Sequence, residues 1–141
     1  YNPGTRSLQC GRRNDALKVW AVWKHLGDAG LRVRIERMIG HAVHCAKRVK
    51  ESDQMQLVLE PAYLNVCFEV IGKSSRQICE ELRARNQLLV GHASVDGRTI
   101  IRVPFVNGGL TTDDVDEMLG LILEVAASLP AGDNAILASA A

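Results

Sequence analysis

Apolar residues along the chain follow a helical period, then an alternating one, then a helical one again. From Asn14 or Asp15, either of which can cap a helix, apolar positions recur every three or four residues until Gly27. This pattern predicts two helices in the first third of the chain, with Gly27 as the C-cap of the first. The predicted buried stripe of the second, longer helix is Leu31, Ile35, Met38, Ile39, Ala42, Val43, Ala46 and Val49.

In the middle of the chain the period shortens to two, which indicates strands. Residues 55–59 form a short candidate strand that Pro61 closes, and residues 64–70 alternate apolar and polar side chains. Ser74 or Ser75 can then cap a third helix. The residues that this helix is predicted to bury are Ile78, Cys79 and Leu82.

A second pair of strands is predicted around Val95-Asp96-Gly97-Arg98, because an Asp-Gly step between two apolar runs is typical of a hairpin. Pro104 lies in the second of these runs and predicts an edge position or a bulge. A last helix is expected after Thr111 or Thr112, either of which can be its N-cap. Its predicted apolar face consists of Val115, Met118, Leu119, Ile122, Val125, Ala126 and Leu129.

The predicted order is helix, helix, strand, strand, helix, strand, strand, helix. This order predicts an α+β fold in which helices pack on one face of a small antiparallel sheet. Three regions are expected. Residues 1–30 would form an interface segment with the first helix, residues 31–130 the main domain, and residues 131–141 a flexible tail.

Composition and charge narrow the possible functions. The 141 residues are 47% hydrophobic and 23% charged, which is typical of a globular protein, and the formal net charge is +1. A general nucleic-acid binder would carry a basic excess, so no nucleic-acid partner is expected. No apolar run has the length of a bilayer span, so no membrane partner is expected.

The cysteines and histidines do not predict a metal site. Cys10, Cys45, Cys67 and Cys79 form no Cys-x-x-Cys pair, which argues against structural zinc and favours reduced thiols in a cytoplasmic protein. His41 and His44 lie three residues apart on one helix and could chelate. They fall partly on its polar face, and no third ligand follows at a suitable spacing, so we expect no metal.

Three motifs occur in order along the chain. Residues 1–12 read Y-N-P-G-T-R-S-L-Q-C-G-R, residues 65–68 read N-V-C-F, and Arg102 precedes an asparagine and the run T-D-D-V-D. Together they resemble the group II pyridoxal-phosphate (PLP) amino-acid decarboxylases, in particular the branch of glutamate, cysteine-sulfinate and aspartate decarboxylases. Gly108 departs from the family pattern, which usually has a proline after the asparagine.

The resemblance implies the aspartate-aminotransferase type of fold (fold type I) and PLP as the cofactor. This chain would be the end of the large domain together with the small C-terminal domain. The family holds PLP through the lysine of a His-Lys pair, which this sequence lacks. The resemblance therefore implies the C-terminal portion of a PLP-dependent carboxy-lyase for an acidic amino acid. It would be active only with a larger chain that carries the PLP lysine, as a dimer of heterodimers.

Arg102 is the candidate substrate-binding residue. The planar guanidinium of arginine can hold a carboxylate by two hydrogen bonds, and the resemblance places the substrate-carboxylate arginine here. From the residues alone, another interpretation stays open, in which Arg102 is a strand arginine whose side chain reaches solvent or pairs with a structural acid. By the same resemblance, a second group is expected to line the cofactor or the subunit interface, and it consists of Gln9, Cys10, Gly11 and Arg12. No catalytic residue is expected in this chain.

The sequence leaves two alternatives open. The same split architecture could catalyse a different PLP reaction in a biosynthetic pathway. The chain could also be a non-catalytic subunit that stabilises a partner's fold.

Overall fold

The computed structural model describes residues 13–132, which divide into two compact units with the boundary between Arg34 and Ile35. The assignment of residues 1–30 to a larger domain stays a prediction. The elements in chain order are α1 (Asp15–Lys50), β1 (Met55–Ala62), β2 (Asn65–Val70), α2 (Ser75–Ala84), β3 (Gly91–Val95), β4 (Arg98–Pro104) and α3 (Thr112–Ser128).

The start of α1 follows the sequence signals closely. The side-chain oxygen of Asn14 accepts a hydrogen bond from the Leu17 backbone N–H at 3.1 Å, so Asn14 caps the helix as predicted. Gly27 leaves the helical conformation, with φ 63° and ψ 178°, a region that glycine enters without a Cβ clash. The predicted break at Gly27 is confirmed, although the helical segments before and after it form one element.

In the first unit, apolar side chains are exposed. Trp20 and Trp23 are 58% and 51% exposed, and the Trp23 indole N–H donates to Asp28 Oδ1 at 2.6 Å. The other large exposed apolar side chains of this unit are Leu17, Val19, Val22 and Val33. No helix in residues 13–132 is both long enough and apolar enough to cross a membrane.

The second unit is built on a four-stranded antiparallel sheet with the order β1-β2-β4-β3. β3 and β4 are joined by Asp96 and Gly97, whose φ angles of 49° and 78° are both positive, as in a type I′ turn. The predicted hairpin is therefore confirmed. Within the β2–β4 ladder, Cys67 lies opposite Arg102 and Phe68 lies opposite Ile101.

Alternate residues of the central strands form the core. Val66 and Phe68 of β2, with Ile101 and Val103 of β4, point to the same face of the sheet and are buried. Helical side chains cover this face, and they are Ala42, Cys45, Ala46, Val49, Ile78, Cys79, Leu82, Val115, Leu119, Ile122, Val125 and Ala126. The predicted α+β fold, with helices on one face of an antiparallel sheet, is thus confirmed.

One residue of the predicted helical stripe is wrong. Val43 is 60% exposed, whereas its neighbour Ala42 is completely buried. The buried side of α1 passes through His41, Ala42 and Cys45, so Val43 falls outside it. The reason is that two adjacent lines of apolar positions on the helix surface both follow the spacing of three and four residues. Which of them is buried depends on where the sheet lies.

Two predictions from proline need correction. Pro61 does not close β1, which continues to Ala62; as an edge strand, β1 tolerates a residue without an N–H. Pro104 does not mark an edge strand, because β4 lies between β2 and β3. The ladder with β3 ends at Arg102, so Pro104 lies beyond the last paired residue on that side and interrupts no hydrogen bond there.

The last helix and the segment after it are held by specific bonds. Thr111 is the N-cap of α3, and it exchanges side-chain and backbone hydrogen bonds with Asp114 in a capping box. After the helix, the Gly132 N–H donates to the Gly72 carbonyl oxygen at 2.9 Å. Most of the predicted flexible tail, residues 133–141, lies outside the described part of the chain.

Candidate functional site

Arg102 lies near the end of β4 and is exposed, while Ile101 and Val103 on either side are buried in the core. The alternation of the strand therefore puts its side chain on the sheet face opposite the helices, which we call the outer face and which also carries Cys67 and Glu69. Among residues 13–132, Arg102 forms no ion pair with an acidic side chain. Its guanidinium is thus available to a ligand.

Arg102 contributes to an open cleft of about 410 Å³. The cleft lies where α2 approaches the start of β3 and the end of β4, and Arg83 of α2 is a second arginine among its lining residues. Glu80 also lines it, so the cleft is not uniformly cationic. The other residues around it are Cys79, Leu89, Val90, Gly91, His92 and Pro104. Two arginines in one cleft suit an anionic ligand.

A second arginine on the outer face has a different environment. Arg98 donates through Nη2 to Oε1 of Glu69, whose side chain is only 7% exposed. Glu69 Oε2 is buried without a hydrogen-bond partner in the described part of the chain. Arg98 and Arg102 are four residues apart on one strand, yet within residues 13–132 only Arg98 is paired with an acid.

The thiols nearest the cleft are poor nucleophiles. Burial and, to a lesser extent, the nearby Glu80 carboxylate raise the pKa of Cys79 to about 11. Burial also raises the pKa of the Cys67 thiol, and the Arg102 guanidinium opposes that rise. Cys45, in the core, has its pKa raised to about 12 by burial and by Asp116. None of these three thiols is activated as a thiolate at neutral pH.

His41 and His44 have separate surroundings. His41 is 5% exposed, not on the polar face as predicted, and its ring centroid lies 6.5 Å from that of Phe105. His44 Nε2 lies 3.0 Å from Asp116 Oδ1. In residues 13–132, no cluster of three or more histidine, cysteine or acidic side chains is arranged to hold a metal ion.

The loop after β4, where Gly108 replaces the family's proline, is held by two hydrogen bonds. The Asn107 side-chain oxygen accepts from the Gly109 N–H at 2.9 Å, and the Gly108 carbonyl accepts from Arg37 Nη1 at 3.3 Å. Gly108 itself is buried. The departure from the family pattern is therefore accommodated by local bonds in this chain.

The remaining sequence-predicted site residues, Gln9, Cys10, Gly11 and Arg12, lie outside the described residues, so their role stays a prediction. The sequence analysis missed Arg83 as a neighbour of Arg102. The sequence feature that could have predicted this position is that Arg83 follows the buried Leu82 on α2, a helix that packs near β4. His92 of β3, the strand beside Arg102, also lines this cleft.

Comparison with known proteins supports the resemblance. A family model described as the pyridoxal-dependent decarboxylase conserved domain matches residues 1–71. This chain belongs to the pyridoxal-dependent decarboxylase family. Membership implies PLP as the cofactor of the family's chemistry.

Curated relatives extend the match along most of the chain. The acidic amino acid decarboxylase GADL1 of Bos taurus is 29% identical over 137 residues, covering 84% of this chain and 26% of the relative. The cysteine sulfinic acid decarboxylase of Homo sapiens is 31% identical over 134 residues, covering 82% and 27%. The chain therefore spans about a quarter of the length of the relatives that it matches.

The fold of this chain also recurs in solved structures of the family. Mouse CSAD superposes with a TM-score of 0.77 at 27% identity, covering 90% of this chain and 31% of that structure. This family's enzymes have fold type I, so the predicted fold class is confirmed.

The lysines of this chain do not suit covalent attachment of PLP. None of them lines the cleft that contains Arg102. Lys18, Lys47 and Lys50 face acidic side chains, Lys73 donates to the Leu129 carbonyl, and Lys24 is exposed. The described residues thus fit the binding of a carboxylate, and they provide no amine beside it for the cofactor.

Proposed function

We propose that this chain is the C-terminal portion of a PLP-dependent decarboxylase that acts on an acidic amino acid. PLP would be held by a lysine of a larger chain, and together the chains would assemble as a dimer of heterodimers. When bound, PLP supplies the electron sink for loss of the carboxylate. The contribution of the present chain is to bind and orient the substrate.

The observation that carries this proposal is Arg102, which lines a cleft and forms no ion pair with an acidic side chain of residues 13–132. A planar guanidinium fixes a carboxylate in two directions, and decarboxylation requires the scissile bond to be held at a defined angle to the cofactor. Arg83, in the same cleft, offers a cation for a second acidic group. The names of the relatives, which act on acidic amino acids or cysteine sulfinic acid, support this substrate class.

The exposed apolar side chains of residues 13–34 support the need for a larger chain. An apolar surface that includes Trp20 and Trp23 is typical of a segment that another protein surface covers. The unactivated, unbridged thiols of Cys45, Cys67 and Cys79 agree with a cytoplasmic location. The stoichiometry of the assembly is part of the proposal and is tested with it.

The experiment is to isolate the complex from its source cells through a tag on this chain. We expect a co-purifying PLP-bearing chain and release of CO₂ from aspartate, glutamate or cysteine sulfinate, but not from tryptophan. Arg102→Ala should weaken transition-state binding by about 2–5 kcal/mol, measured as a lower kcat/KM, while the complex still assembles.

A matched control is Arg76→Ala, which removes an exposed arginine of α2 that does not line the cleft. This control should leave kcat/KM unchanged. If Arg102→Ala also leaves it unchanged in an assembled complex, Arg102 does not bind substrate, and the chain acts only as a stabilising subunit.

A further inference from the structure

Three side chains on the outer face have a relationship that the proposed function does not use. Arg98 and Arg102 stand on either side of Ile100 in β4. The β2–β4 ladder pairs Cys67 with Arg102 and Phe68 with Ile101, so one more step of the register sets Glu69 opposite Ile100. Glu69 is therefore a diagonal neighbour of both arginines.

Glu69 is a buried acid with one carboxylate oxygen that accepts no hydrogen bond within residues 13–132. Its side chain is 7% exposed, one carboxylate oxygen accepts from Arg98, and Oε2 has no partner within residues 13–132. A buried carboxylate is stable only when a cation or several donors compensate for its lost hydration. Arg98 is the only basic side chain in the described part of the chain that forms an ion pair with it.

Arg102 is the other cation within reach of this acid. Diagonal cross-strand neighbours are about 7–8 Å apart at Cα, a separation that long side chains bridge. The Arg102 guanidinium nevertheless forms no ion pair with Glu69 or with any other acid of residues 13–132. Arg98 thus forms the ion pair with Glu69, the acid that would otherwise attract the Arg102 guanidinium.

We infer that Arg98 is a positioning residue, which neutralises Glu69 and so keeps the Arg102 guanidinium free for the carboxylate of the substrate. The inference rests on the proposed role of Arg102. Without Arg98, Glu69 is left as a buried, uncompensated charge, and the nearest available cation is Arg102. A carboxylate of the same chain competes at a high effective concentration, so the substrate has to displace it before binding.

The test is a set of variants in the PLP-loaded complex, assayed with cysteine sulfinate and with aspartate. Arg98→Ala should raise KM roughly tenfold, as expected for about 1.4 kcal/mol of competing ion pairing, while kcat changes little. The double variant Arg98→Ala/Glu69→Gln should return KM close to that of the unmodified complex, because the competing charge has been removed. A purely structural role of the pair would instead change the unfolding temperature without changing KM.

Arg98→Lys and the double variant keep the inference testable if Arg98→Ala folds poorly. Arg98→Lys keeps a cation beside Glu69 and should restore most of the affinity. The double variant with Glu69→Gln lacks the buried charge that would destabilise the fold. If Arg98→Ala gives the KM of the unmodified complex, or a rise in KM that Glu69→Gln does not reverse, the inference is wrong. If Arg98→Ala does not fold, a raised KM of either Arg98→Lys or the double variant Arg98→Ala/Glu69→Gln overturns it.

These outcomes separate this inference from the proposed function. If Arg102→Ala raises KM while Arg98→Ala does not, Arg102 binds substrate and only the positioning role of Arg98 is lost. If Arg102→Ala has no effect in an assembled complex, the proposed function itself fails, whatever Arg98 does. A crystal structure of Arg98→Ala should show Arg102 within 4.0 Å of Glu69, the separation that defines an ion pair.

Discussion

Cys67 lies directly opposite Arg102 in the antiparallel ladder between β2 and β4. Residues in such direct pairs have Cβ atoms about 4.5–5.5 Å apart, so a group attached to the Cys67 sulfur would occupy space beside the guanidinium. Cys67 is half-buried, whereas Cys45 and Cys79 are buried in the core. Cys67 is therefore the cysteine that can report on the Arg102 site.

We expect iodoacetamide to alkylate Cys67 at least about tenfold faster than Cys45 or Cys79, because exposure controls access to the thiol. Burial raises the pKa of Cys67, so its labelling rate should keep rising above about pH 8.5, the ordinary thiol value. Time-resolved peptide mass mapping measures each cysteine separately. Equal labelling of Cys67 and Cys45 would contradict the position of Cys67 on the outer face.

The capping box of α3 gives a prediction about stability. Thr111→Ala removes the side-chain oxygen that accepts from the Asp114 N–H at 3.2 Å. We expect a loss of about 1 kcal/mol in the free energy of unfolding, measured by urea denaturation. Thr112→Ala is the matched control, because Thr112 is exposed and is not the N-cap. A loss of the same size in both variants would show that the cap contributes nothing specific.

The contact between α1 and the start of α3 predicts how stability depends on pH. Hydrogen bonds from His44 and Arg48 lower the pKa of Asp116 below its ordinary value. A carboxyl group with a lowered folded-state pKa stabilises the fold above its unfolded-state pKa, near 3.9, and this contribution disappears as the pH falls through the folded-state value. The melting temperatures of the unmodified protein and of Asp116→Asn should therefore converge as the pH falls from about 6 to about 3.

Comparing the unmodified protein with Asp116→Asn can also contradict this prediction. If the difference in melting temperature stays constant over that range, the Asp116 charge does not stabilise the fold, and the lowered pKa has no consequence for folding. Asp53→Asn is a suitable control, because Asp53 is exposed and forms no ion pair among residues 13–132. It should not reproduce the convergence.

Phe68 is expected to be among the residues on which the core depends most. It is completely buried at the centre of the sheet, opposite Ile101. Phe68→Ala should cost about 3–5 kcal/mol in the free energy of unfolding, since it leaves a cavity that rigid strands cannot fill. Leu59→Ala, on the edge strand and 47% exposed, should cost far less. Comparable losses in the two variants, measured by denaturant unfolding, would contradict the assigned core.

Local signals predicted much of this fold correctly. The sequence narrowed each cap to two adjacent residues, of which the structure uses Asn14, Ser74 and Thr111, and it identified the Asp96-Gly97 turn. These features depend on residues that are neighbours in the chain. The position of Arg102 on an apolar strand was also predicted from the sequence. By contrast, the exposure of Val43 and the central position of β4 depend on which surfaces meet, and local patterns do not contain that information.

The sequence by itself determined the order of the elements and the family, and it placed Arg102 on a strand and Arg98 in the turn before that strand. The structure adds Arg98 to β4. Arg98 and Arg102 have the same strand parity and the same chemistry, so no local pattern distinguishes them. Only the tertiary structure decided which of them is free. Glu69 is 29 residues from Arg98 along the chain and becomes its neighbour only when β2 pairs with β4. Among the described residues 13–132, that pairing leaves the Arg102 guanidinium without an acidic partner.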